Sequence, residues 1–249
     1  MANFIQLYYY IKFVIKAILS LVYLSLTMKI FKYWKIEKQI IHAIKSVLHD
    51  KHNIVLITGG ESLNKYKIED LRNSYFLLNS YNTLKVLNKD VQELVLKNTL
   101  IYYQAPFHSP LSKEDYAKGV SYVQKKINKS AIIITNSSYQ IDFKRIDDNN
   151  FEFRAVNILP LNFAKFSNVT GALFMINLAI HAKVKNLKVI GFDANWFEQD
   201  IKTKGDNFHL LKSFLFNYEI LTQIRLLKHK VRKSLIRIEI PDNSWFNKI

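Results

Sequence analysis

Short apolar runs of strand length recur along the chain, and segments of helical periodicity separate them. The runs are Asn53 to Thr58, Phe76 to Asn79, Thr99 to Tyr103, Ala131 to Thr135, Leu187 to Gly191 and Leu235 to Ile240. Helical spacing is read over Ile36 to Leu48, Lys89 to Leu96, Lys113 to Ile127, Thr170 to Val184 and Asp206 to Lys230. Alternation of this kind predicts an α/β fold with a mainly parallel sheet, helices on its faces and crossovers of the usual hand. Residues 136–165 interrupt the rhythm. There Asn136-Ser137-Ser138 and Asp147-Asp148-Asn149-Asn150 flank two short alternating stretches, Tyr139 to Lys144 and Phe151 to Val156, which predict a surface hairpin.

A chain of 249 residues with 49% hydrophobic residues, 6 Gly and 4 Pro fits one sizeable domain with an appendage and has no low-complexity linker. Its formal net charge of +16, from 36 Lys+Arg against 20 Asp+Glu, directs it toward polyanions: nucleic acid, anionic lipid or phosphorylated glycolipid. The absence of cysteine excludes disulfides and Cys-ligated metal sites.

The appendage is the segment Phe4 to Phe31, almost wholly apolar and aromatic apart from Gln6, Lys12, Lys16, a few hydroxyls and, near its end, Lys29. A spanning helix from about Phe13 to Phe31 would carry Lys16 into or near hydrocarbon, where a lysine costs roughly 2.5–3.5 kcal/mol. A helix lying in the membrane plane keeps Lys12 and Lys16 wet. Residues 1–50 hold seven Lys against Glu37 and Asp50, a balance of +5 that suits an anionic leaflet. The expectation is therefore a monotopic membrane-surface anchor over residues 1–50, followed by one domain over residues 51–249. A spanning helix and a buried core helix are the competing readings.

Two strand-turn units suggest where a ligand would gather. Ile54 to Ile57 leads into Thr58-Gly59-Gly60-Glu61-Ser62, and Leu187 to Ile190 leads into Gly191-Phe192-Asp193. Glycines after a strand let backbone N–H groups approach phosphate, or simply make a tight turn. Ser62 either binds a phosphate or caps a helix, and Asn79, ending a strand, either contacts a ligand or makes an ordinary turn. Thr170 and Gly171 precede an apolar helix whose N-terminus favours an anion, though a plain structural cap reads equally well. Asp193 stands at a strand end, where a carboxylate either holds a ribose or orders a loop.

Seven histidines offer general bases. His209 follows the polar loop 198–207 at the start of a helix, and His108, in Pro106-Phe107-His108-Ser109-Pro110, is its rival. The chain contains no Asp-x-Asp, His-Glu-x-x-His, Walker lysine or Gly-x-Ser-x-Gly, which disfavours metal-dependent transfer from a diphosphate donor.

Taken in order, strand–Gly–x–Ser, strand–Asn and Thr–Gly–helix–strand–Gly–x–Asp resemble the small bacterial sialyltransferases that cap lipo-oligosaccharide from CMP-sialic acid. The chain is similar, more distantly, to the motility-associated flagellin glycosyltransferases. The family's Gly-Asn-Gly-Pro-Ser-Leu falls on Gly60, Ser62 and Leu63, with Gly59 beside them. Its strand-end asparagine falls on Asn79, its Asn-Pro near Gln104-Ala105-Pro106, and its Thr-Ser-Gly on Val169-Thr170-Gly171. Its Gly-Ile-Asp-Phe-Tyr falls on Gly191-Phe192-Asp193-Ala194-Asn195, so that Asn195 or Trp196 stands where a phosphate-binding tyrosine is expected.

The resemblance covers residues 53–240. It implies a single Rossmann-like (GT-A-variant) domain and metal-independent, cofactor-free transfer from a CMP-activated sugar to a glycolipid acceptor. It further implies association with the cytoplasmic face of the inner membrane, and oligomers. His209 and Asn79 are the catalytic candidates. Gly59, Gly60, Ser62, Gln104, Thr170, Gly171, Gly191, Asp193 and Asn195 are the nucleotide-binding ones. Two rivals remain: a non-catalytic binder of nucleic acid or lipid through Arg225, Lys228, Lys230, Arg232 and Lys233, and a nucleotide-dependent enzyme of another class such as a methyltransferase. Nucleic acid is not the expected partner.

Overall fold

The computed structural model describes residues 29–104, 113–135, 144–152, 171–192, 224–225, 227–240, 242 and 244, together with Tyr8, Ile11, Ile15, Ile18, Leu19, Val22, Tyr23, Ser25 and Leu26. Eight strands form one sheet: β1 (Ile54–Ile57), β2 (Tyr75–Asn79), β3 (Thr99–Gln104), β4 (Ile132–Thr135), β5 (Lys144–Arg145), β6 (Asn150–Glu152), β7 (Asn186–Ile190) and β8 (Arg237–Glu239). Their spatial order is β5-β6-β4-β3-β2-β1-β7-β8, and every pairing except β5 with β6 is parallel. The α/β class and the mainly parallel sheet are as the sequence predicts.

The helices are α1 (Lys29–Leu48), α2 (Tyr81–Lys85), α3 (Lys89–Asn98), α4 (Lys113–Lys126) and α5 (Gly171–His181), with 3-10 turns at Glu61–Lys65 and Ile68–Asp70. Residues 227–233 add a helical segment, α6. α3 illustrates local logic: Asn88 caps it by accepting a hydrogen bond from the Val91 amide at 2.9 Å, while Asp90 and Lys97 complement its dipole at the two ends. α5 ends at His181, and two residues on Lys183, with a left-handed φ of 62°, brings the Val184 amide back to the Ala179 carbonyl at 3.1 Å.

Strand side chains alternate between two cores. Ile54, Leu56, Leu77, Ile101, Ile132, Ile134, Leu187 and Val189 join a core with α1, α5 and α6. Val55, Ile57, Phe76, Leu78, Tyr102 and Ile190 join the other, with α3, α4 and the 3-10 turns. A parallel sheet buried on both faces demands these two helix layers.

The first layer includes α1. Tyr33, Ile36, Ile40, Ile44 and Leu48 recur at helical spacing and are buried against the sheet, each worth roughly 1.5–3 kcal/mol in transfer free energy. The helix predicted from Ile36 to Leu48 thus lies in the same core as the strands. Among the described residues no helix is long and apolar enough to cross a membrane. A short antiparallel pair, β5 with β6, stands where the hairpin is predicted, while 139–143 and 153–156 of its two stretches lie outside the described residues; β6 also pairs in parallel with β4 and so extends the main sheet. Asp147 shapes its turn by accepting from the amides of Asn149 and Asn150 at 2.8 and 2.9 Å. Hydrogen bonds from the Asn150 side chain and the Asn149 amide lower its pKa.

A polar cluster lies within the α1–α5–α6 layer. Lys230 Nζ donates to Asn177 Oδ1 at 3.2 Å, and Glu37 and Tyr33 are buried nearby. Desolvation lowers the Lys230 pKa to about 8, against a smaller opposing effect of Glu37, while burial and Glu37 together raise that of Tyr33.

A lysine whose folded pKa lies below its unfolded value of about 10.5 binds fewer protons in the native state. Stability therefore rises with pH from about 8 toward 10.5, by on the order of 2–3 kcal/mol for this one group. Tyr33 acts oppositely, but only above its unfolded pKa near 10. Urea midpoints measured between pH 7.5 and about 9.5 should climb for the wild type relative to Lys230→Met, and parallel curves would remove this assignment.

Candidate ligand site at the carboxyl edge of the sheet

Parallel strands deliver all their C-terminal ends to one edge, and the chain reverses direction across the sheet between β1 and β7. It runs outward from β1 through β2, β3 and β4 to β6, then returns to β7 on the other flank of β1. Ligands of open α/β sheets sit outside the carboxyl ends at such a reversal. Gly59, Gly60 and Ser62 follow β1, Asn79 ends β2, Gln104 ends β3, Gly171 begins α5 and Gly191 follows β7. The topology therefore gathers the described candidates on one edge. Thr170, Asp193, Asn195, Trp196, His108 and His209 lie outside the described residues.

The β1–β7 junction is closed by hydrogen bonds. Thr58 donates to the Ile190 carbonyl from its amide at 3.0 Å and from its hydroxyl at 3.2 Å, and the Gly60 amide donates to the Gly191 carbonyl at 2.6 Å. The Gly60 N–H, which sequence reasoning offered to a phosphate, is thus engaged within the fold. Gly191 has φ of +71°, and a Cβ there would lie 2.1 Å from the Thr58 carbonyl oxygen. Its role is to let the two strand ends meet. Gly59 has no comparable constraint, since a Cβ would stand 3.7 Å from Thr83 Oγ1. Ser62 is buried within the 3-10 turn. Gln104 accepts from Gln124 of α4 at 3.5 Å, which ties it to a neighbouring helix.

One strand away, the packing leaves a polar atom unused. Asn79 Oδ1 is buried and has no hydrogen-bond partner among the described residues. Directly beside it is Gly171, where a Cβ would fall 2.1 Å from that oxygen and 2.8 Å from the Tyr103 ring. Tyr103 in turn lies against Phe174 of α5, with ring centroids 4.8 Å apart. The N-terminus of α5 is therefore held on the end of β2, with an amide oxygen between them.

Ser80 follows at once with φ of +71° and ψ of 157°, a conformation almost confined to glycine. The Ser80 amide donates to the Tyr103 carbonyl at 3.0 Å, and its successor Tyr81 fills the notch left by Gly119 of α4, where a Cβ would come within 1.9 Å of the ring. Sequence reasoning missed Ser80, Tyr103 and Gly119. The strain at Ser80 has no compositional signature, whereas a lone glycine inside the helical pattern of α4 was a visible sign of close packing.

In chemical terms, this corner offers a hydrogen-bond acceptor awaiting a donor, next to the positive end of a helix dipole. No three His, Asp or Glu side chains converge to hold a metal among the described residues. No family model, curated protein or solved structure matches the chain.

Steric contrast between two glycines tests this geometry. Gly191→Ala should lower unfolding stability by roughly 2–3 kcal/mol, combining left-handed strain with a backbone clash. Gly59→Ala should change it by less than about 0.5 kcal/mol. Chemical denaturation of both variants checks the pair, and equal effects would show that the junction is not closed in this way.

Proposed function

We propose that the chain is a membrane-surface glycosyltransferase with a Rossmann-like, GT-A-variant domain. It moves sialic acid or a related sugar from a CMP-type donor to a surface glycolipid such as lipo-oligosaccharide, without a metal. The observation that carries this reading is the buried, unpartnered Asn79 Oδ1 against Gly171 at the start of α5, on the carboxyl edge of the sheet. An unsatisfied buried acceptor costs about 1–3 kcal/mol, which a ligand N–H or O–H offsets on binding. The exocyclic amine of cytosine and the hydroxyls of ribose are such donors. The helix N-terminus beside it favours the single phosphate of a CMP donor.

In this reading Thr170 and Asp193 supply the contacts to phosphate and ribose, and Asn195 serves in place of the tyrosine that the sialyltransferases carry. In the transfer step, the acceptor hydroxyl oxygen bonds to the anomeric carbon while the bond from that carbon to the CMP phosphate breaks. His209 receives the hydroxyl proton, a contribution of about 10²–10⁴ in rate. Positioning and stabilisation of the departing phosphate supply the remainder.

Membrane attachment rests on the exposed apolar residues upstream of the sheet. Tyr8, Ile11, Ile15, Ile18, Val22 and Leu26 follow helical spacing and face solvent, Leu26 at 79% and Phe31 at 68% exposure. Apolar residues so placed, next to a run of lysines, suit an anionic bilayer surface on the cytoplasmic side of the inner membrane.

Calorimetry with the full chain in the presence of a chelator should detect CMP binding in preference to UDP, GDP and S-adenosylmethionine. Asn79→Leu should weaken that binding by about ten- to a hundredfold while leaving the unfolding midpoint in place. His209→Ala should abolish sugar transfer and keep CMP affinity. Binding of S-adenosylmethionine but not CMP would reassign the chain to another class.

A further inference from the structure

α1 presents a second face, opposite the one buried on the sheet. Phe31, Lys35, Lys38, His42 and Lys45 succeed one another at helical spacing and are all exposed. Where this face meets the β5–β6 hairpin there is a pocket of about 240 Å³, lined by Lys38, Gln39, His42, Arg145, Asp148 and Phe151, among others. Phe151 is fully buried and forms an apolar wall. Arg145 is pinned to the hairpin, its Nε donating to the Asp147 carbonyl at 3.0 Å and its guanidinium pairing with Asp148. A cation fixed by its own loop stands across the pocket from a cation on the helix.

One of the lining residues, Gln39, also carries an unused acceptor. Gln39 Oε1 is buried and has no hydrogen-bond partner among the described residues. A bare phosphate satisfies the cations but brings no donor to this oxygen. A phosphodiester carrying a hydroxyl satisfies both, since its anionic oxygens pair with Lys38 and Arg145 while its hydroxyl donates to the amide. Soluble phosphorylated polyols share that chemistry. The position of the pocket selects the lipid, because it is built on the helix that follows in sequence the exposed apolar residues among Tyr8 to Leu26 and lies among further exposed lysines.

We propose that the groove between α1 and the β5–β6 hairpin binds the headgroup of an anionic glycerophospholipid of the phosphatidylglycerol type. The phosphate is held between Lys38 and Arg145, with His42 beside it, and the glycerol hydroxyl donates to Gln39. The site rests on the membrane-surface part of the proposed function and deepens it from general charge attraction to recognition of a headgroup. It is independent of the nucleotide corner.

The test uses the full chain with three kinds of vesicle: phosphatidylcholine alone, phosphatidylcholine with phosphatidylglycerol, and phosphatidylcholine with phosphatidylmethanol. The last has the same charge and no headgroup hydroxyl. Co-sedimentation should show tighter binding to phosphatidylglycerol than to phosphatidylmethanol vesicles by about three- to tenfold, the range of one hydrogen bond. Gln39→Leu should erase that preference without loss of folded signal, and the double change Lys38→Ala with Arg145→Ala should weaken binding to both.

Equal binding of the two anionic lipids by wild type, or a preference that survives Gln39→Leu, overturns the proposal. Absence of binding to every vesicle overturns the membrane reading instead. The groove is then tested with soluble glycerophosphoglycerol: binding that Gln39→Leu abolishes sustains the site, and absence of binding overturns it.

Discussion

A parallel sheet has two apolar faces, and neither can be left to water. That constraint organises this chain from its first described helix to its last. The α3–α4 side covers one face with segments that follow directly from β2 and β3. The other face draws its cover from distant parts of the sequence: α1 before the first strand, α5 between β6 and β7, and α6 before β8. Three helices with no shared local sequence meet there, and the Lys230–Asn177 hydrogen bond near the buried Glu37 lies among them. Polar groups so buried cost free energy to desolvate. They favour one arrangement of the three helices, because any other would leave them unpaired.

The same sheet determines where chemistry can occur. Its carboxyl edge is the one place where strand ends, helix starts and irregular backbone meet. At the β1–β7 junction the backbone groups of Thr58, Gly60, Ile190 and Gly191 satisfy one another. Beside β2 a side-chain group is left over: Asn79 Oδ1 is buried without a partner among the described residues, Gly171 admits the helix against it, and Ser80 holds a conformation that most side chains avoid. Strain and an unused hydrogen-bonding group next to a helix N-terminus are features that a ligand relieves. The centre of the candidate site is therefore the Asn79–Gly171 corner and not the glycine pair after β1.

Much of this fold was legible in the sequence because it is written in short-range pattern. Each apolar run of strand length became a strand within two residues at either end, and α3, α4, α5 and the part of α1 from Ile36 onward follow from periodicity over eight or more residues. What the pattern did not carry was local structure too short to repeat, and pairing between remote segments. α2 is five residues long, less than two turns, and the 3-10 turn at Ile68–Asp70 is shorter still. Parallel pairing of β6 with β4 depends on the sheet edge that β4 presents, which the alternating stretches at 139–144 and 151–156 do not encode. The site divides the same way. Asn79 and Gly171 were each visible as ambiguous single residues, and only the packing of α5 on β2 makes them a pair. Gly60 was visible as a glycine, but nothing local shows that its amide would go to Gly191 rather than to a phosphate.

The two faces of α1 carry a mechanical consequence. A flexible polybasic tail would hold a domain near an anionic surface in any orientation, since charge attraction screened over about 8 Å has little directional content. α1 is not such a tail, because Tyr33, Ile40 and Ile44 are locked into the sheet's core while Lys35, Lys38 and Lys45 face outward from the same helix. In the proposed attachment that basic face fixes the helix, and the helix fixes the sheet. The carboxyl edge then has a set direction relative to the bilayer, which an enzyme acting on a glycolipid needs so that acceptor and donor meet without a search over orientations. Burial of one helix face thus links the stability of the core to the geometry of the proposed reaction.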